Sequence, residues 1–191
     1  MHLAWLRPST RAIDWRGPLG AATVAIAIAV LVGHADDVPS TAAALTLAAL
    51  AAGTAIGLDD PAHALLEALP TSPGRRIARR LVVLLPFAVG GYAIARVASR
   101  GATTGTWSAA GPAQLAALTA VAVALTCAWQ RRRPELAAAV GAVVPIGWTL
   151  LSDAAASPDS VAGRLVGLWI DRPWLVAVAA AAWATAMVRR R

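Results

Sequence analysis

The sequence predicts an all-α integral membrane protein of six transmembrane helices with both termini in the cytoplasm. Three observations lead there. Of its 191 residues, 58% are hydrophobic and only 14% charged, whereas a soluble domain carries about a quarter charged residues. Lipid is therefore the natural solvent for most of this surface. At about 20 apolar residues per crossing, the length suits six spans joined by short connections. The third observation is the placement of the arginines, which make up all 17 Lys+Arg positions because lysine is absent.

Residues 1–16, MHLAWLRPSTRAIDWR, interleave Trp5 and Trp15 with Arg7, Arg11 and Arg16. Such a pattern fits an in-plane interfacial elbow whose guanidinium groups reach headgroups. It fits a basic terminal tail equally well. The first span is expected at about Pro18–His34 and the second at about Thr41–Gly57. A polar stretch, 58–80, leads into the third, about Leu81–Arg96. After the Gly/Ser/Thr loop at 99–111, the fourth span is expected at about Pro112–Trp129. The fifth, about Leu136–Leu151, contains Pro145 and Gly147, which predict a kink. Residues 152–172 form a longer connection, and Trp174–Val188 is the sixth span.

With the N-terminus inside, thirteen of the seventeen arginines fall in cytoplasmic segments and only Arg96, Arg100, Arg164 and Arg172 fall outside. The opposite orientation inverts that ratio, against the positive-inside bias. The spans are rich in Ala and Gly, as expected where close backbone approach holds helices together in lipid. Small residues recur at Ala21, Ala25, Ala29 and Gly33, at Ala116, Ala120, Ala124 and Ala128, and at Ala49, Gly53 and Gly57. The Gly53–Gly57 pair stands out as a packing point.

Several chemistries are disfavoured. A phosphate-binding P-loop needs a lysine, so any ATP that drives this chain binds to another one. No span carries a charge near its middle, which argues against proton coupling and intramembrane hydrolysis. No serine or cysteine is placed with a histidine as a nucleophile and base. No catalytic, cofactor-binding or metal-binding residue is expected. Cys127 lies in an apolar helix and is expected to pack in the core. His34 with Asp36 and Asp37 is a weak metal candidate; two carboxylates in a turn are more often simply solvated.

The polar stretch Leu58–Arg80, LDDPAHALLEALPTSPGRRIARR, is where function is expected. Asp60 is placed as an N-cap with Pro61 at the first helical position. Ala62, Leu65, Leu66 and Leu69 then fall on one stripe of a two-turn helix. Pro70 ends it, and Ser72-Pro73 starts a second helix on which Arg75, Arg76, Arg79 and Arg80 are expected to share a face. Between spans five and six, Asp159-Ser160 can cap an amphipathic helix carrying Val161, Arg164, Leu165, Leu168 and Trp169, with Pro173 after it.

This pattern of a carboxylate, a Leu-rich helix, Leu69-Pro70-Thr71-Ser72 and clustered arginines resembles the permease subunits of ATP-binding-cassette type-2 exporters. The likeness covers the whole chain as layout and about residues 58–80 as sequence. It departs from the family in the Pro73-Gly74 insertion before Arg75 and in its short length. The resemblance implies a coupling helix, with Asp60, His63, Leu65, Leu66, Glu67, Leu69, Arg75 and Arg76 meeting a partner. It also implies an outer gate built from Arg164, Leu165, Leu168 and Trp169. Expected partners are ATPase subunits holding ATP and magnesium, a second permease copy or related chain, and membrane lipid, with no nucleic acid. This chain is then no enzyme but moves a hydrophobic or amphipathic substrate across the membrane. Its excess of alanine and lack of lysine fit GC-rich coding and hence a bacterial plasma membrane. The competing reading is a self-contained six-helix protein, such as a substrate-capturing vitamin-uptake subunit or a self-protection protein. Such an uptake subunit would meet its partner through Ala21, Ala25 and Ala29.

Overall fold

Proline punctuates this chain, and four of its helices begin at or one residue before one, where the missing N–H costs nothing. A computed structural model describes residues 13–34, 40–59, 73–99, 110–130, 132–154 and 160–189. Those residues form α1 (Arg16–Val32), α2 (Ser40–Gly57), α3 (Pro73–Ala98), α4 (Gly111–Trp129), α5 (Pro134–Ala154), α6 (Val161–Asp171) and α7 (Pro173–Arg189). Pro73, Pro134 and Pro173 open their helices, and Pro112 is the second residue of α4. Each of the six apolar stretches forms a helix, and α6 falls in the connection before the last.

Three helices, α3, α4 and α5, are long and apolar enough to cross a membrane. The pair α6–α7, bent by 97°, makes a fourth candidate if taken as one broken span. α1 and α2 are apolar but shorter, near the lower limit of about 17 residues for a crossing. The chain thus has the character of a helical membrane protein. Large apolar side chains such as Leu31, Val82, Val89, Ile94, Val97, Val143 and Leu151 lie exposed. In water they would form patches that soluble proteins avoid; in lipid they are solvated.

α2 is the axis of the bundle, packed against α1, α3, α4 and α5, while α4 also packs extensively on α7. Alanine makes this possible: Ala25, Ala29, Ala48, Ala51, Ala55, Ala95, Ala117 and Ala122 are fully buried. The Gly53–Gly57 pair sits at the tightest approaches of α2. A Cβ on Gly53 would lie 2.7 Å from the Ala21 methyl, and one on Gly57 would lie 2.7 Å from Leu84 and 2.9 Å from Pro18. Two of the buried threonines bond inside their own helices: Thr54 Oγ1 donates to Leu50 O at 3.1 Å and Thr126 Oγ1 to Ala122 O at 2.8 Å.

Two expectations are corrected. The basic helix and the third span are one helix, because nothing between Arg80 and Leu81 breaks the pattern and α3 continues through Pro86. At 1.5 Å per residue its 26 residues reach about 39 Å, longer than a hydrocarbon core of about 30 Å. Nor do the four arginines share a face. Arg75 and Arg79 are exposed, Arg76 is half-buried and Arg80 is buried. Steps of 100° place 75 with 79 and 76 with 80, a quarter-turn apart. α5 runs through Pro145 and Gly147 as one helix.

A second core cluster marks one end of the bundle. It joins Ile13 before α1, Leu58 after α2, Ile77 and Leu84 of α3, and Val123 and Cys127 of α4, with Trp15 and Ala184 against it. α1 and α3 therefore start at this end, α2 and α4 finish there, and α7 returns to it. Trp15 seals its edge against Phe87, ring centroids 5.5 Å apart and nearly edge-on. At the opposite end, the close of α1 meets the close of α3, where a Cβ on Gly33 would lie 2.8 Å from Ala98 O.

Candidate functional site

Helix C-termini leave carbonyls without intrahelical donors, and at the end of α2 two side chains supply them. Leu58 is 1% exposed. Its carbonyl accepts from Arg80 Nη1 of α3 at 3.3 Å and from Gln130 Nε2, just past α4, at 3.3 Å. The same Arg80 Nη1 donates to the Asp59 carbonyl. A guanidinium here also faces the negative end of the α2 dipole. Arg80 keeps only 7% of its surface exposed, so these bonds form in a low-dielectric setting that strengthens them. The geometry pins the end of α2 to the start of α3 and the end of α4.

The chain leaves this clamp at Asp59 and re-enters at Pro73. Asp60, His63, Leu65, Leu66, Glu67 and Leu69 lie outside the described residues. Arg75 and Arg76 are the first-turn cations of α3, directly beside that stretch. From sequence alone Arg80 is one more residue of a basic face, and Gln130 carries no signal. A basic cluster hides which arginine turns inward, and a glutamine beside Arg131–Arg133 reads as one more surface residue.

α6 lies at the opposite end of the bundle. Ser160 caps it as expected, its hydroxyl accepting from Gly163 N at 2.8 Å with extended backbone at the cap. Arg172 alone separates α6 from α7, with φ −136° and ψ 55°, and the helix axis turns there by 97°. The four residues assigned to this helix divide. Trp169 is buried and meets Trp148 of α5 edge-to-face at 6.4 Å, whereas Arg164, Leu165 and Leu168 are exposed. Replacing Ser160 with alanine is expected to cost about 1 kcal/mol and to speed amide exchange in α6 alone, read by hydrogen–deuterium exchange.

Trp169 does not close the space under α6. A half-open cavity of about 260 Å³ remains, lined by Leu118 and Val121 of α4, Val144, Pro145 and Trp148 of α5, Leu165, Leu168 and Trp169 of α6, and Val176 of α7. Every one of these side chains is apolar except for the indole N–H groups. Trp148 Nε1 is buried and has no hydrogen-bond partner among the described residues.

Titratable groups form no such assembly. Among the described residues no three of His, Cys, Asp and Glu come together in a metal-binding arrangement. His34 donates from Nδ1 to Val30 O at 2.7 Å, and Asp36 and Asp37 lie outside the described residues. Cys127 is buried in the core, where its sequence setting placed it. Comparison with family models, curated proteins and solved structures finds no match to the chain.

Proposed function

We propose that the chain is the permease subunit of an ATP-driven exporter, with ATP and magnesium held by separate ATPase subunits docked beneath residues 60–72. In this reading α1 to α5 and α7 are six crossings, and the end bearing Arg16, Arg75, Arg76, Arg79, Arg80, Arg132 and Arg133 faces the cytoplasm of a bacterial cell. Two such bundles, identical or related, enclose the path of a hydrophobic or amphipathic substrate.

The observation that carries this reading is the clamp on Leu58 and Asp59. A segment that transmits force must be rooted in something that moves as a body. Arg80 and Gln130 tie the root of 60–72 to three helices at once, and α2 contacts four others. A push delivered between Asp59 and Pro73 would therefore displace α2 and α3 together. At the far end the single-residue joint at Arg172 would let α6 tilt against α7. That is a rigid-body, two-state transition and asks no chemistry of the side chains. The uptake-subunit alternative loses ground, because Ala25 and Ala29 are spent within the core that α1 shares with α2.

The test is to purify the chain from its native membrane with its neighbours under gentle solubilisation. A nucleotide-binding subunit is expected to accompany it, and to be lost on replacing Leu65 and Leu66 with aspartate. A preparation that never contains an ATPase rules the proposal out.

A further inference from the structure

The cavity under α6 is open to its surroundings, and what surrounds it is decided by the helices that form it. α4, α5 and the α6–α7 pair are all among the membrane-crossing candidates, so the mouth, carrying the exposed Val144, Leu165 and Leu168, faces acyl chains. Water gains nothing inside, since a buried water needs two to four polar partners and the lining offers almost none. An empty cavity of this size forfeits the dispersion contacts of its whole lining. Trp148 Nε1 is itself buried and adds no polar surface to the cavity. Arg164 and Arg172, both exposed, stand about one turn before and one turn after Leu168 on the same stripe of α6 and its C-cap.

We infer that this cavity holds one acyl chain of a resident membrane phospholipid. Its phosphate lies within reach of Arg164 or Arg172. Apolar volume and flanking cations match the acyl chain and the phosphate of such a lipid. A second copy of this chain would fill the apolar space but would leave the cations unanswered. The lipid acts as a wedge that holds α6 at its angle to α7. The inference rests on placement in a membrane and not on coupling to an ATPase.

The test uses the isolated full chain, reconstituted in vesicles of palmitoyl-oleoyl-phosphatidylglycerol, re-extracted in mild detergent and delipidated stepwise under native mass spectrometry. One phospholipid per chain is expected to survive after the others are stripped. Val144→Phe and Leu165→Phe add bulk at the exposed rim and are expected to lower that lipid-bound fraction at least tenfold. Arg172→Ala leaves the cavity lining intact and removes only a cation, and a severalfold loss is expected even if the bulkier variants fold poorly. Arg164→Ala should weaken retention of phosphatidylglycerol similarly. A wild-type chain that keeps no lipid overturns the inference, as does retention unchanged in Val144→Phe, Leu165→Phe and Arg172→Ala. So does a dimer that dissociates in the rim variants while lipid count stays constant, since a second copy then fills the cavity. No ATPase is present in any arm, so this outcome and that of the copurification are read separately.

Discussion

Arg80→Met is expected to destabilise the bundle by about 2–3 kcal/mol, the worth of charge-assisted hydrogen bonds to buried carbonyls, and to uncouple the proposed transporter. Methionine keeps most of the side chain's apolar volume, so the loss reports the guanidinium rather than packing. Leu58 O would retain Gln130 as a donor, but Asp59 O would lose its Arg80 donor. Arg80→Lys is expected to recover only part of the stability, because one ammonium on a flexible stem cannot reproduce the fork. Arg79→Met, one residue away and exposed, should stay within about 0.5 kcal/mol of the parent. Thermal unfolding in detergent ranks the three. In a reconstituted complex the proposed role adds a second signature, with ATP hydrolysis proceeding in Arg80→Met but no longer responding to substrate. Equal unfolding curves for the Arg79 and Arg80 variants would show the clamp to be idle.

That contrast marks where the sequence was readable. Signals that act within one element came through. Pro73 and Pro112 start helices because a first-turn residue needs no donor, and Ser160 caps α6 through its own loop. The Gly53–Gly57 pair also came through, because one-turn spacing of glycines in an apolar helix admits few other purposes. What stayed hidden depends on partners distant in sequence. Arg80 turns inward because α2 ends opposite it, 22 residues earlier in the chain. Gln130 becomes a donor because α4 finishes beside the same carbonyl, 72 residues from it. Trp148 and Trp169 are legible as aromatic residues in apolar helices, but their meeting depends on a 97° turn at Arg172. The resemblance to exporter permeases rests mainly on 58–80, of which only the two flanks, 58–59 and 73–80, fall among the described residues.

Gly141 shows the same limit and carries the other large expected effect. It sits in an Ala/Val run, PELAAAVGAVV, where nothing distinguishes it from its neighbours. In the fold it lies where α5 crosses α4 and α2. A Cβ there would collide with Thr126 Oγ1, and would also lie 3.0 Å from the Ala122 carbonyl oxygen and 3.0 Å from the Ala55 methyl. The threonine cannot simply swing aside, because its hydroxyl is bound to Ala122 O. Gly141→Ala is thus expected to destabilise by about 1–3 kcal/mol, as overpacking of a tight core does, despite alanine's better helix propensity. Gly147 lies less than two turns further along the same helix, and a Cβ there meets nothing within 4 Å. Gly147→Ala should therefore be neutral or stabilise by up to about 1 kcal/mol. The two substitutions are chemically identical, so opposite signs in thermal unfolding isolate the crossing itself. Thr126→Ala combined with Gly141→Ala removes the closest clash. It is expected to recover more than half of the Gly141→Ala loss in a double-mutant cycle, whereas simple additivity would place the three helices further apart at this point.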